Sequence, residues 1–331
     1  MTRVFINGFG RIGRTLLRQI LRGDSGLEIV GINDIAPLEI CAYLLRYDSV
    51  YGPLAEPVTT GVNCIGIGAH RIAFTHAPDL RTLDLSGVDV VLECTGRAQT
   101  RTIAEAGLEA GARAVLISGP SEAADKTVVL GANEQELGQA RIVSNASCTT
   151  NAIAPLLRLL DLGLGLDKAH VTTIHCYTGS QPTTDAPGPS PERSRAAAVS
   201  MIPTTTSAAG QVIGVLPELQ GRISIAAVRV PCLSVSAVDA VIQTNEDIEQ
   251  PVTEFLREAL AGSPLIGLTE DPCVSSDFRA RPESLVLSLP HTMTTGTRQL
   301  RLLGWYDNEW GFSARMIAWA RRMAARPDLM A

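Results

Sequence analysis

Arg3-Val4-Phe5-Ile6-Asn7-Gly8-Phe9-Gly10-Arg11-Ile12-Gly13 is the stretch that decides the fold of this chain. Arg3 to Ile6 reads as a buried strand, and three glycines follow at positions 8, 10 and 13. A helix pattern comes next, with Ile12, Leu16, Leu17, Ile20 and Leu21 on one face. Between a strand and a helix, Gly-x-Gly-x-x-Gly has a mechanical meaning. The first glycine makes the tight turn. The second lets the backbone approach a pyrophosphate, and the third lets the helix pack closely on the strand. The phosphates then rest on the helix N-terminus, at Gly10, Arg11 and Ile12. A second strand, Glu28 to Ile32, ends at Asn33-Asp34. Asp34 lies about twenty residues past the last glycine, where an acid accepts from the adenosine ribose. Its charge repels a 2′-phosphate, so NAD is expected rather than NADP.

Outward from this unit, Val88 to Leu92, Ala114 to Ile117 and Thr127 to Leu130 are strand candidates, with a helix over Thr100 to Gly111. Strands apolar throughout, alternating with helices, predict a parallel sheet covered on both faces. Beyond about residue 150 the texture changes. Val171 to Ile174, Ile223 to Val230, Leu233 to Thr244, Ser284 to Leu289 and Gln299 to Trp305 are longer strand candidates with fewer helices between them. This predicts an α+β domain with a mostly antiparallel sheet. Four prolines make Gln181 to Glu192 an extended loop of a length that usually serves function. A helix from about Phe312 to Ala325 closes the pattern. The fold expected is an α/β Rossmann-type dinucleotide-binding domain plus an α+β catalytic domain. The first spans 1–147, completed by about 312–331, and the second spans 148–311.

The 331 residues are too many for one ordinary core, which agrees with two domains. A net charge of −6 argues against nucleic acid as the main partner. The seven cysteines are scattered, odd in number and free of Cys-x-x-Cys pairs. That argues against a disulfide framework or a metal site and for a reducing compartment. No signal peptide and no membrane-length apolar run are read, so a cytoplasmic protein is expected.

Ser144-Asn145-Ala146-Ser147-Cys148-Thr149-Thr150-Asn151 carries the chemistry. It joins a strand-like run (Arg141 to Val143) to a helix-like run (Ile153 to Leu160). A thiol there sees the positive end of a helix dipole and unpaired N–H groups, which favours the nucleophilic thiolate. Pro155 is expected to kink this helix or to mark its true start. The small polar flanks set Cys148 apart from an ordinary core cysteine. A cysteine nucleophile commonly needs an imidazole. His175 ends a strand-like run and opens a polar loop, so it is the candidate base. His70, His76, His170 and His291 lack such surroundings.

With these motifs in order, the chain resembles phosphorylating glyceraldehyde-3-phosphate dehydrogenases nearly end to end. The resemblance includes Asn7 to Arg14, Ser144 to Asn151, His175 with Tyr177-Thr178, and Arg195 to Ala198. It continues through Ile202 to Thr206, Arg229-Val230-Pro231 and Trp305-Tyr306-Asp307-Asn308-Glu309. It implies oxidation of D-glyceraldehyde 3-phosphate with NAD and inorganic phosphate, through a Cys148 hemithioacetal and thioester. His175 would act as base, and the Cys148 N–H would help hold the oxyanion. By similarity, Thr178, Arg193 and Arg229 hold the substrate phosphate. Ser147, Thr149, Thr206 and the backbone near Ser207 hold the inorganic phosphate. Asn308 would bind the nicotinamide carboxamide, while Thr95, Gly96 and Ser118 sit where the cofactor crosses the sheet. The 181–192 loop matches the segment that reaches a neighbouring subunit, which implies a homotetramer.

Some positions depart from that family's pattern. Ser180 stands for a usual Asp, Ser207 for a Gly, Glu192 for a basic residue and Ala152 for a second cysteine. An arginine near Ala77 is missing. Ser207 and Glu192 bear on phosphate affinity. Erythrose-4-phosphate dehydrogenase is the nearest alternative. That branch tends to change the segment after the histidine and to break the Thr204-Thr205-Thr206 run, and both are intact here. A non-catalytic NAD- or sugar-phosphate-binding paralogue would be marked by loss of Cys148, His175 or Arg229. A cysteine hydrolase would need no dinucleotide loop.

Overall fold

The apolar run before the first glycine forms the strand read from it, Thr2–Asn7 (β1), and the turn at Gly8 leads into Arg11–Ile20 (α1). The chain continues through Leu27–Asn33 (β2), Leu38–Arg46 (α2), Val58–Gly61 (β3), Cys64–Ile67 (β4) and His70–Thr75 (β5). Then follow Val90–Glu93 (β6), Arg101–Glu109 (α3), Ala114–Ile117 (β7), Lys126–Thr127 (β8) and Ile142–Ser144 (β9). Cys148–Leu164 (α4), Leu166–Cys176 (β10), Ile202–Thr204 (β11), Ala208–Val215 (α5), Ile223–Val230 (β12) and Ser236–Thr244 (β13) come next. The last elements are Val252–Ala259 (α6), Ile266–Thr269 (β14), Leu285–Ser288 (β15), Met293–Thr295 (β16), Gln299–Tyr306 (β17) and Trp310–Ala324 (α7). This computed structural model describes residues 1–23 and 25–326; the end of the expected 312–331 span, 327–331, lies outside them.

The chain divides into two units. One comprises residues 1–128, 134–147 and the described residues from Phe312 on, and the other 129–133 and 148–311. The first unit holds a nine-stranded sheet in the order β3-β4-β5-β2-β1-β6-β7-β9-β8. Strands β5 to β8 along that order pair in parallel, as apolar strands with helical crossovers should. The expectation of a wholly parallel sheet needs one correction, because β3, β4 and β5 pair antiparallel at one edge. They are joined by two-residue turns, too short for a parallel crossover. Val4, Ile6, Ile32, Val90, Leu92 and Leu116 are fully buried in this unit. Each such side chain contributes roughly 1.5–3 kcal/mol by leaving water.

The second unit holds an eight-stranded sheet, β11-β12-β10-β13-β17-β15-β14, with β16 on β17. It is mostly antiparallel, but β10 pairs parallel with β12 and β14 with β15. Strand β17 alternates cleanly, with Leu300, Leu302 and Tyr306 buried.

One local expectation is overturned, and of the two alternatives for Pro155 one is excluded. The strand read over Thr127 to Leu130 stops at Thr127. The Val129 N–H turns to Asn133 Oδ1 (2.8 Å), and the chain passes from one unit to the other at this point. Helix α4 begins at Cys148, not at Pro155, and runs through the proline to Leu164. Proline removes one ladder bond, but Ile153, Ala154, Leu156, Leu157 and Leu160 are fully buried and hold the helix in place.

Candidate active site

In the first unit the sheet order reverses between β1 and β6, the usual place for a cleft at strand C-terminal ends. Gly8 sits there at φ +94°, and a Cβ on it would lie 2.7 Å from the backbone of Cys94 and Thr95. A Cβ on Gly13 would lie 2.2 Å from the Gly8 carbonyl oxygen. Above Gly10 there is open space. A cleft of about 380 Å³ opens here, lined by Gly8, Gly10, Asp34, Thr95 and Arg97 among others. Size, glycine floor and acid together fit an adenosine and pyrophosphate.

Asp34 follows β2 and is held in place. Its Oδ2 accepts from Phe9 N at 2.6 Å and its Oδ1 from Ala36 N at 2.8 Å. Each oxygen keeps a lone pair for a ribose hydroxyl. Arg11 turns its guanidinium to buried Asp48, and Arg11 and Ile12 form the first turn of α1, the helix end that suits an anion. Thr95 and Gly96 follow β6, and Ser118 follows β7, its N–H bonded to Glu93 O at 2.9 Å.

A polar ladder beneath the cleft was not read from the sequence. Thr75, Asn33, Asn7 and Glu93 face each other across four strands. Thr75 Oγ1 donates to Asn33 Oδ1 (2.8 Å), Asn33 Nδ2 to Asn7 Oδ1 (2.9 Å) and Asn7 Nδ2 to Glu93 Oε2 (2.5 Å). Glu93 in turn accepts from Thr95 N at 2.9 Å. The signal available was an acid ending an apolar strand, Val90 to Glu93, where burial demands partners. Arg81 also lines the cleft beside Ala77, with its charge met by Asp79 at 2.8 Å.

In the second unit, Cys148 is the first residue of α4 and is half-buried. Two residues earlier, buried Ala146 adopts φ +53°, a left-handed conformation costing a non-glycine residue roughly 1–2 kcal/mol. Cys148 Sγ lies 3.5 Å from His175 Nε2. His175 is 5% exposed near the end of β10, with Nδ1 2.7 Å from Cys176 O. Arg229 on β12 stands directly opposite His175 in the parallel register. Its Nη1 approaches His175 Nδ1 to 2.5 Å and donates to Cys176 O at 3.0 Å. Arg229 is therefore no solvated surface charge.

Burial, and then the Arg229 charge, lowers the His175 pKa to about 4. The ring is neutral at pH 7. Nδ1 faces both the Cys176 carbonyl and the Arg229 guanidinium; in the tautomer that donates from Nδ1 to Cys176 O, Nε2 is bare and can take a proton from the thiol. The expectation of a resting thiolate meets an opposing effect in burial. Burial pushes the Cys148 thiol up, against the opposing pull of Arg229 and of the Thr149 hydroxyl and N–H. The helix terminus lowers the cost of charge but does not offset desolvation. Both shifts favour a neutral thiol beside a neutral base.

Tyr306 was quoted in the sequence only as part of a motif. Its buried hydroxyl lies 3.0 Å from Thr149 Oγ1 and 2.8 Å from Thr173 Oγ1, and its ring meets His175 edge-on. Asn308 follows β17, and Cys176 Sγ donates to its Oδ1 at 3.2 Å. Through Tyr306 and Cys176, contacts thus join Cys148, Thr149, His175, Arg229 and Asn308 into one cluster.

The remaining candidates sit on other segments. Thr178 follows β10 and is 3.0 Å from Ser180 Oγ, so the serine standing for the usual Asp keeps a hydroxyl partner there. Arg193 lies in a short turn, its N–H on Ser190 Oγ at 3.4 Å. Thr206 Oγ1 accepts from Ala208 N at 3.1 Å. Ser207 Oγ accepts from Gln211 Nε2 (2.7 Å), and Gln211 Oε1 accepts from Thr150 Oγ1 (3.0 Å), which ties Ser207 to helix α4. Ser147 immediately precedes α4 and is half-buried. The 181–192 loop carries no helix or strand up to its last residue and is closed at its base by Asp185–Arg195 (3.0 Å). All seven cysteines are free thiols. Among the described residues, no helix is long and apolar enough to cross a membrane.

The family model for "Glyceraldehyde 3-phosphate dehydrogenase, NAD binding domain" matches residues 2–101. The one for the C-terminal domain of the same family matches residues 147–308. The chain is 46% identical over 319 residues to "Glyceraldehyde-3-phosphate dehydrogenase" of Cereibacter sphaeroides, covering 95% of this chain and 96% of that one. It is 44% identical over 332 residues to the protein of the same name from Pseudomonas aeruginosa, covering 98% and 99%. The identity to that of Xanthobacter flavus is 44% over 324 residues, covering 95% and 96%.

Proposed function

Since the chain belongs to the glyceraldehyde-3-phosphate dehydrogenase family, whose members are NAD-dependent oxidoreductases acting on an aldehyde, we propose that it oxidises and phosphorylates D-glyceraldehyde 3-phosphate to 1,3-bisphosphoglycerate. The observation that carries this reading is Cys148 Sγ at 3.5 Å from His175 Nε2, on a ring that burial and Arg229 hold towards its neutral form. As the aldehyde arrives, the thiol proton moves to His175 Nε2 and sulfur adds to the carbonyl carbon. The imidazolium returns that proton to the oxygen, giving a hemithioacetal hydroxyl. NAD, when bound, supplies the hydride acceptor. His175 takes the hydroxyl proton as the carbonyl reforms, leaving a thioester on Cys148. Inorganic phosphate then cleaves the thioester and restores the thiol.

Thr178, Arg193 and the guanidinium N–H groups of Arg229 not facing His175 hold the substrate phosphate. Ser147, Thr149, Thr206 and the backbone near Ser207 hold the attacking phosphate. Hydroxyls and arginine forks are what phosphate oxygens require. Gly10, Arg11 and Ile12 receive the cofactor pyrophosphate and Asp34 its ribose, with Thr95, Gly96 and Ser118 along the sheet end and Asn308 on the carboxamide. Residues 1–147 with about 312–331 form the NAD-binding domain and 148–311 the catalytic one, in a cytoplasmic homotetramer.

The test is turnover of glyceraldehyde 3-phosphate and erythrose 4-phosphate, each with and without phosphate. Faster, phosphate-dependent oxidation of the triose is expected. Faster oxidation of the tetrose, indifferent to phosphate, would transfer the chain to the erythrose 4-phosphate branch. No oxidation of either would make it a binding paralogue.

Asp34→Ala is expected to relax cofactor choice. Removing a carboxylate that repels a 2′-phosphate should narrow the NAD over NADP preference by about tenfold or more, a change of about 1.4 kcal/mol. An unchanged ratio of kcat/KM for the two cofactors would strip Asp34 of this role.

A further inference from the structure

Cys176 ends strand β10 and is 1% exposed. Its N–H donates to Ser236 Oγ at 3.1 Å, and its carbonyl accepts from Arg229 Nη1 at 3.0 Å. Its sulfur lies 3.8 Å from His175 Nδ1 and donates to Asn308 Oδ1 at 3.2 Å. Burial pushes this thiol up to about 12, so it remains a protonated donor at ordinary pH.

The backbone around Asn308 is fixed independently. Buried Asp307 accepts from Glu309 N (3.0 Å) and Trp310 N (2.8 Å) through Oδ1, and from Ala280 N (2.8 Å) through Oδ2. That leaves the terminal torsion of the Asn308 side chain, which is broad by nature. The Cys176 thiol is the group that pins it.

We propose that Cys176 is a positioning residue, whose S–H fixes the plane of the Asn308 carboxamide and thereby the way Asn308 presents its amide to the nicotinamide end of the cofactor. This rests on the role proposed above for Asn308. One oxygen lone pair is taken by the thiol, while the second and both N–H groups stay available. The thiol then governs both the hold on the nicotinamide and the ring face offered to substrate. A cysteine that merely fills space would do neither.

The test compares Cys176→Ala with Cys176→Ser, which keeps a donor. Calorimetry gives NAD and ADP-ribose affinities, the second ligand lacking the nicotinamide. Turnover of 1-deuterated glyceraldehyde 3-phosphate, with proton NMR of the reduced cofactor, gives the face that receives the label. The alanine chain should bind NAD ~3- to 10-fold more weakly and place label on both faces. Its ADP-ribose affinity should be unchanged, and the serine chain should match wild type in all three. Equal losses in both variants, an equal loss for ADP-ribose, or unchanged NAD binding in the alanine chain would overturn the proposal. Should the alanine chain not fold, Cys176→Val offers the same comparison without a donor. Asn308→Ala is run beside them. If it changes neither NAD affinity nor face, the role of Asn308 falls. If it changes both while Cys176→Ala changes neither, only the role of Cys176 falls.

Discussion

Cys148→Ser should bind NAD as the wild type does and lose dehydrogenase turnover by about 10⁴-fold or more. The size of the loss follows from the base. His175, with its pKa lowered to about 4 by burial and Arg229, is weak. A thiol is acidic enough to give it a proton as sulfur attacks, but an aliphatic hydroxyl is not. The serine oxygen also attacks more slowly, and it would leave an ester that phosphate cleaves less readily than a thioester. Absorbance near ~340 nm, where the reduced nicotinamide absorbs, follows turnover, while calorimetry follows NAD. Turnover within about tenfold of wild type would mean that another group carries the acyl intermediate.

His175→Asn should slow acylation roughly 10²–10⁴-fold, the usual worth of a positioned base. Its pH dependence should separate loss of the base from misfolding. In the wild type the ring is neutral above about pH 4, and the thiol, pushed up by burial, is protonated through neutrality. Both partners are therefore in their working forms across that range, and the acylation rate should be nearly flat. In the variant the thiolate must form by loss of a proton to water. Its fraction grows tenfold per pH unit below the thiol pKa, so the rate should climb through the alkaline range. Stopped-flow bursts of reduced cofactor at several pH values measure this. A variant with a flat profile would show that His175 does not take the thiol proton.

The pattern was most readable where one physical demand dominated. Ala114–Ile117 and Ile223–Val230 are strands with the bounds read from their apolar runs. The antiparallel edge over residues 58–75 was not read, because glycines at 61, 66 and 68 break its alternation. Helix α2 was missed because Ile40, Tyr43 and Leu44 are exposed on it, so no single apolar stripe marks its inner face. At the site, the meeting of Cys148 and His175 could be inferred from their local flanks. The placement of Arg229 behind the imidazole could not. It depends on the pairing of two strands some fifty residues apart, which no window of sequence contains. The same holds for Tyr306, whose neighbours Thr149 and Thr173 come from a helix and a strand remote in the chain. The resting protonation of Cys148 escaped for a related reason. A helix terminus is visible in sequence, whereas the packing that desolvates the sulfur is not.

Strands β10 and β12 match residue for residue from Ala169↔Ile223 to Cys176↔Val230, with no bulge. A lineage that gained or lost one codon inside either run would turn the imidazole or the guanidinium to the far side of the sheet, with every side chain still present. Drift in length should therefore be confined to the connections outside this ladder. Genes encoding working variants should differ in strand composition far more freely than in strand length.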